Sequence, residues 1–428
     1  MKNKTKVPLF NWLIIVAALG YFVDIYDLVL FNVVKKESLE YIQQLKGIDI
    51  DVKNTGIFLF NCQMVGMLIG GILWGVWGDK KGRISVLFGS ILLYSLANII
   101  NAFTFDISSY AVVRVIAGIG LAGELGAGIT LVSETMDKEK RGYGTMIIVT
   151  FGALGAVLAA LVGAKGQMIV GLIASLTGYT FQNWQVVYLI GGFIGLLLLL
   201  LRVGTFESGM FKDMKTHEVK KGDFLSLFRN KESRSKYLYC IMIGLPTWFM
   251  IGVPVALSQE VFAVELGING ILNGTAVMFA YLGLSIGDLA SGLLSQVLRS
   301  RKKVVYLYLL LSLILLFVYV FLLKGISVEA YYAICFLIGF CAGYWAIFVS
   351  IAAEQFGTNI RSTVTNTVPN FVRGAVLPIT MSFTALGGYT GNMTSTLIVG
   401  LVCLALATFA TYKVKETFAK DLNYFETL

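Results

Sequence analysis

The feature that most constrains this chain is the recurrence, from end to end, of apolar runs of roughly 18 residues or more. There are twelve, separated by polar turns. A helix of that length crosses a hydrocarbon layer about 30 Å thick. Lipid offers the backbone no hydrogen-bond partner, so a spanning run must satisfy its own amides, and a helix does so. The alternating ten-residue segments of a membrane β-barrel are absent. The chain is 57% hydrophobic and 14% charged, which excludes an ordinary soluble domain. The expected fold class is an all-α integral membrane protein with twelve transmembrane helices. They are placed at 10–33, 56–78, 84–104, 108–132, 143–165, 184–203, 237–258, 271–298, 304–323, 330–353, 363–388 and 393–412. The stretch 166–183 reads either as an extension of the fifth helix or as an outer loop closing at Gln182-Asn183-Trp184.

The charges set the expected orientation. With the N-terminus inside, the inner segments hold about 26 of the 34 Lys and Arg residues, and the outer side keeps chiefly Lys35, Lys36, Lys46 and Lys53. Both termini are therefore expected in the cytoplasm. The net charge of +9 is spread over inter-helix turns rather than gathered on one patch, so it reads as topology and not as nucleic-acid binding. Met1–Pro8 looks like a signal n-region, but no small-residue cleavage site follows, and the first run reads as a retained helix. The five cysteines lie inside apolar runs without metal-ligand spacing, so neither metal nor cofactor is expected. The single histidine, His217, lies in a polar loop, which leaves no histidine for an intramembrane proton relay.

A basic segment at 204–236 divides the spans six and six. It is too short for a domain, and Phe224–Phe228 within it reads as a surface helix. The expected units are an N-terminal six-helix bundle, 1–203, a cytoplasmic linker, 204–236, and a C-terminal bundle with a short cytoplasmic tail, 237–428. The halves echo each other weakly. Gly75…Asp79…Gly82-Arg83 follows the second span, and Gly292…Gln296…Arg299-Ser-Arg301-Lys302-Lys303 follows the eighth, with Gln296 where Asp79 stood. Degenerate internal repeats of this kind are a mark of secondary transporters.

The turn Gly75-Val-Trp-Gly-Asp79-Lys80-Lys81-Gly82-Arg83 carries one acid among its bases. Its glycines admit a close neighbour, Asp79 can accept from a helix N-terminus, and Arg83 can reach a carboxylate on another helix end. Gly-x-x-x-Asp-Lys-x-Gly-Arg after the second of twelve spans resembles the signature of the major facilitator superfamily. Four other stretches agree with that resemblance: Arg114-x-x-x-Gly118-x-Gly120-x-x-Gly123 on the fourth span, Ser133-Glu134…Lys140-Arg141-Gly142 after it, Phe206-Glu207-Ser208-Gly209-Met210-Phe211 after the sixth, and Ala353-Glu354-Gln355-Phe356-Gly357-Thr358-Asn359-Ile360-Arg361 after the tenth. The second and third of these lack the family's proline. Phe22-Val-Asp24-Ile-Tyr26-Asp27-Leu-Val-Leu-Phe31 resembles the first span of the metabolite:proton symporter group. The resemblance covers the whole chain. It implies two six-helix pseudo-repeats in the major facilitator fold, and a cytoplasmic gate built from Gly75, Asp79, Gly82, Arg83, Glu134, Arg141, Glu354 and Arg361.

Charges inside the bilayer each need a reason, because one at the centre costs roughly 2.5–3.5 kcal/mol. Asp24 and Asp27 share a face of the first helix. At about 1.5 Å per residue they lie about 13 and 9 Å deep from the outer end, and Arg114 lies about 9 Å deep on the fourth. The resemblance implies that helices 1, 4, 7 and 10 line a cavity, where an Asp27–Arg114 pair is geometrically reasonable. Asp24, Asp27 and Arg114 are read either as proton-coupling groups or as a static pair. Glu124, in a Gly-rich inner stretch, is a second proton carrier, a backbone acceptor or a partner of the inner gate. Arg373 lies about 15 Å inside the eleventh helix, beside Gly374 and between Pro369 and Pro378. It suits a carboxylate or phosphate, or else packs against an acid. Asn366, Asn370 and Gln63 are candidate polar substrate contacts, with Trp248, Tyr344 and Trp345 as aromatic walls. Asp288 is expected to pair with a base near the inner end of the eighth span.

These readings lead to a secondary transporter that takes up a small anionic metabolite with protons by alternating access. It is expected to be a multi-pass monomer of a bacterial inner membrane, with the substrate, protons and lipid as partners and no nucleic acid. A proton-driven exporter is disfavoured because the fifth span lacks the Gly-Pro pattern of the family's drug antiporters. An importer of a larger polycarboxylate or metal chelate, and a receptor on the same fold, stay open. An enzyme is not expected, since no His-Glu-x-x-His or exposed Gly-x-Ser-x-Gly is present.

Overall fold

A computed structural model describes residues 12–202, 210 and 221–426. Twelve helices are long and apolar enough to cross a membrane. They are α1 (Trp12–Lys46), α2 (Asn54–Lys81), α3 (Arg83–Asn101), α4 (Ile107–Thr135), α5 (Arg141–Leu176), α6 (Asn183–Leu201), α7 (Lys231–Val255), α8 (Asn273–Val297), α9 (Arg301–Leu322), α10 (Val328–Gln355), α11 (Arg361–Thr390) and α12 (Asn392–Lys413). Each coincides with an expected span. The open question at 166–183 is settled by helix: α5 runs on, then ends where Gly178 turns left-handed at φ 71°. The first helix also outruns its expected end and carries Lys35, Lys36 and Lys46 on its extension.

Local chemistry starts and stops the helices. Asp51, Asp106, Ser300 and Ser327 accept from backbone amides at the starts of α2, α4, α9 and α10. Gly82 separates α2 from α3 at φ 111°, a conformation that favours glycine. Three spans are interrupted. α4 breaks at Ala122-Gly123, α10 at Gly343-Tyr344 and α11 at Ala375. α7 loosens into a π-helical turn at Ile251–Val255 around Pro254.

The halves repeat one packing device. In the first, Gly66 and Gly70 of α2 meet the backbone of α4 at Val115 and Ile119. In the second, Gly283 and Gly287 of α8 meet the backbone of α10 at Phe336 and Phe340. A side chain at any of the four would collide with a carbonyl, so each crossing is fixed by the absent side chain. Outward faces carry exposed apolar side chains such as Leu172, Leu176, Leu197, Leu200 and Phe321, as lipid requires. Phe224 and Phe228 do not form a free surface helix. Only Ser226–Arg229 is helical, and both rings pack on Tyr237.

Candidate functional site

Two buried charge clusters set the site, one where the spans meet at the Asp79 end and one midway along them. At the Asp79 end, Asp79 is fully buried. Its carboxylate accepts from the Ser362 amide at 3.0 Å, the Thr363 amide at 2.9 Å and the Thr363 hydroxyl at 2.7 Å. Those groups open α11, so an anion of the first half closes on a helix N-terminus of the second. The close approach requires Gly75, where a Cβ would lie 2.7 Å from Thr363 Cα. Arg83 donates to Glu134 at 2.8 Å and to the Gly78 carbonyl at 2.9 Å. Glu134 also accepts from Arg361 of the second half at 3.0 Å. Arg141 donates to Glu354 at 2.8 Å, and Glu354 is shared with Arg301 at 3.3 Å. The eight expected gate residues are therefore gathered at one end of the bundle, and the acids and bases among them interlock across the halves. Arg301 completes the set. In the second copy of the motif, Gln296 lies against Gly142 and Arg301 rather than capping a helix.

The midway cluster differs from the expected pairing. Arg114 does not pair with Asp27. It donates to the Gln63 side chain and stands 4.7 Å from the Phe31 ring. Asp27 lies against Gly191 and Asn98, and neither of its oxygens has a hydrogen-bond partner among the described residues. It is Asp24 that meets an arginine, and that arginine is Arg373, at 3.6 Å from a residue 349 positions away. Arg373 also donates to the Tyr21 hydroxyl and to Asn370 Oδ1, both at 3.3 Å. Asp24 and Arg373 are 0% and 1% exposed. A buried pair between halves is strongly held only while both partners stay, because removing one leaves a charge stranded.

Other candidates fall elsewhere. Glu124 forms a two-pronged pair with Arg202, at 2.5 and 2.9 Å, and accepts from Ser90 at 2.7 Å. Asn366 faces the seam, where a Cβ on Gly126 would lie 2.4 Å from its side chain. Asn370 spans the seam, donating to the Ala122 carbonyl at 2.9 Å. The Tyr344 hydroxyl donates to the Ile243 carbonyl at 2.8 Å, which makes it a brace between α10 and α7. Trp248 and Trp345 stand edge to face at 6.2 Å, and both are buried. Asp288 pairs with no base among the described residues. It accepts from the Ala346 amide at 2.9 Å and caps the second half of α10. His217 and all of Phe206–Phe211 except Met210 lie outside the described residues. Sequence reasoning missed Tyr21 and Arg202 as buried partners, and the contacts of residues 414–426 with Arg361 and Arg141. The signal for Arg202 was its position, one charge at the end of an apolar run.

The profile of the Major Facilitator Superfamily matches residues 17–388. The chain belongs to the major facilitator superfamily. A putative metabolite transport protein of Haemophilus influenzae is 26% identical over 94% of this chain and 91% of its own. The 3-(3-hydroxy-phenyl)propionate transporter of Escherichia coli is 27% identical over 56% of each chain. Among solved structures, the proton:xylose symporter bound to 6-bromo-6-deoxy-D-glucose superposes with a TM-score of 0.73 at 18% identity, covering 96% of this chain and 97% of that one. The relatives are transporters, and the superposition establishes the fold. As a superfamily member this is a multi-pass membrane protein, and the charge network at the Asp79 end joins its two sets of spans.

Proposed function

We propose that the protein is a secondary active transporter, working by alternating access, that takes up a small organic anion together with protons across a bacterial inner membrane, the Asp79 end facing the cytoplasm. The observation that carries this reading is the buried Asp24–Arg373 pair, 3.6 Å apart and shared between α1 and α11. An incoming carboxylate that takes Arg373 strands Asp24 as a buried anion, which costs several kcal/mol. A proton on Asp24 removes that cost. A proton without the anion strands Arg373 instead. Anion and proton therefore bind best together, which is symport by differential affinity.

The carboxylate in the name of the Escherichia coli relative supports an anionic substrate. Asn370 and Tyr21 flank Arg373 as polar contacts, with Trp248 and Trp345 as apolar walls. Asp27, close to the same face, serves as a second proton carrier, and Arg114 holds its field without touching it. Gln63 reads as the partner that orients Arg114, and Glu124 as a packing acid neutralised by Arg202. The bundles 1–203 and 237–428 rock about this level, and the Asp79 end opens when its ion pairs part.

Affinity for a bound aromatic propionate, read by thermal shift in detergent, tests the pair. In the native protein affinity rises as pH falls, approaching ten-fold per pH unit for one proton taken up. In Asp24→Asn the profile flattens, proton-driven accumulation in vesicles is lost and counterflow survives. Arg373→Ala loses binding. A native pH profile in Asp24→Asn sinks the coupling, and unchanged affinity in Arg373→Ala sinks the anion site.

A further inference from the structure

The chain does not end where α12 ends. Residues 414–426 fold back across the Asp79 end without forming a helix. Leu422 and Thr417 are buried, each 1% exposed. The strap is fastened at both ends. Glu416 accepts from Ser300 at 2.5 Å and from the Arg301 amide at 3.0 Å. Desolvation opposes the charge on Glu416, but these hydrogen bonds hold its carboxyl below the usual carboxylate range. At the far end Glu426 pairs with Lys236 at 2.8 Å, and its amide donates to Asn359 at 2.9 Å.

Between those ends the strap meets the gate itself. The Leu422 carbonyl accepts from Arg361 at 2.7 Å, and the Tyr424 carbonyl accepts from the Thr358 amide at 2.9 Å. The Lys420 ammonium donates to the Glu354 carbonyl at 3.2 Å. One contact leaves the second half altogether: the Lys420 carbonyl accepts from Arg141 of the first at 2.6 Å. That carbonyl follows Ala419, whose φ of 58° is left-handed. An alanine holds that conformation only where its surroundings impose it.

Arg361, Glu354 and Arg141 are three of the residues that bind the two halves together at this end. The strap touches each of them, orders two on its own half and binds the third directly. We infer that residues 414–426 are a built-in strap that holds the gate end closed, and that opening requires the strap to release Arg141 and loosen Arg361. A partner or ligand that drew the strap away would bias the transporter open at this end. The inference rests on the alternating-access reading, so its test is made without substrate or transport.

The full-length protein is placed in nanodiscs with a reporter, Thr130→Cys, whose native hydroxyl lies 2.6 Å from that of Thr365 across the seam. Labelling by a water-soluble maleimide is counted over the protein lacking the reporter. Leu422→Asp, which expels the buried anchor, raises labelling by about five-fold or more, the low end of ordinary coupling between sites. Lys236→Ala, which removes the ion pair at Glu426 and leaves that residue's bonds to Gly357 and Asn359, raises it by less. Labelling in Leu422→Asp equal to the parent, with an unchanged melting temperature, overturns the strap. Should Leu422→Asp melt early, Lys236→Ala decides alone, and no rise there overturns it.

Discussion

At the scale of single residues, two of the acids inside the bundle, Asp24 and Glu124, are balanced by arginines far away in the chain. Glu124 illustrates this. Its partner Arg202 is 78 residues on, and the pair is sealed by Ser90 and the Leu87 carbonyl. Glu124→Gln keeps an acceptor for Ser90 but strands Arg202. The expected result is a loss of about 3–5 kcal/mol of stability, seen as an early thermal transition in detergent. The double replacement Glu124→Leu/Arg202→Leu recovers much of it, since no charge is left unpaired. Native melting in Glu124→Gln would show that this pair carries no stability. The same example marks what was legible. A charge in an apolar run needs a reason to be there, so Asp24, Asp27, Glu124 and Arg373 all stand out in the sequence. Which base meets which acid depends on helix rotation and on packing between spans, and neither is written in spacing along the chain. Depth alone therefore makes an Asp27–Arg114 pair reasonable, while the fold gives Arg114 to Gln63 and Arg373 to Asp24.

At the scale of elements, the number and placement of the spans are legible because hydrocarbon thickness sets the least length a span needs and polar turns separate one from the next, although α1 and α5 run on past 33 and 165 to Lys46 and Leu176. The interruptions are not legible. α4 breaks beside Glu124 and α10 beside Asp288, and only the second break is capped by its acid, through the Ala346 amide. Sequence placed Asp288 near the inner bases because its distance from Arg299 is short, yet its side chain points at α10. The seam between α4 and α11 depends on small residues in the same indirect way. Gly126 lies under Asn366, where a Cβ would stand 2.4 Å from the side chain, whereas at Gly128 the nearest atom is Ala17 Cβ at an ordinary 3.5 Å. Gly126→Ala should wedge the seam and raise maleimide labelling of Thr130→Cys several-fold, and Gly128→Ala should leave it near the parent level. Equal labelling of the two variants would mean that the seam yields without parting.

At the scale of the whole molecule, the two halves share a packing scheme but not a latch. Both use glycine crossings, α2 with α4 and α8 with α10, and both bring the end of one span to the start of another in the opposite half. In the first half Asp79 supplies a charge to the N-terminus of α11 through three hydrogen bonds. In the second Gln296 lies beside Gly142 at the start of α5, and no hydrogen-bond partner for its Nε2 is present among the described residues. The acid is doing what a neutral side chain cannot: charge-assisted bonds to a helix terminus are each worth about 1.5–3 kcal/mol when buried. Asp79→Asn retains one oxygen acceptor and no charge, so it should weaken closure at that end by about 2 kcal/mol, a shift of roughly thirty-fold in the closed-to-open ratio. Gln296→Ala forfeits little and should shift the ratio less than three-fold. Distance distributions between spin labels placed on the two halves at the Asp79 end, measured without substrate, report that ratio directly. If Asp79→Asn and Gln296→Ala moved it equally, closure would rest on the shared seam between α4 and α11, and the asymmetry between the motif's two copies would have no mechanical meaning.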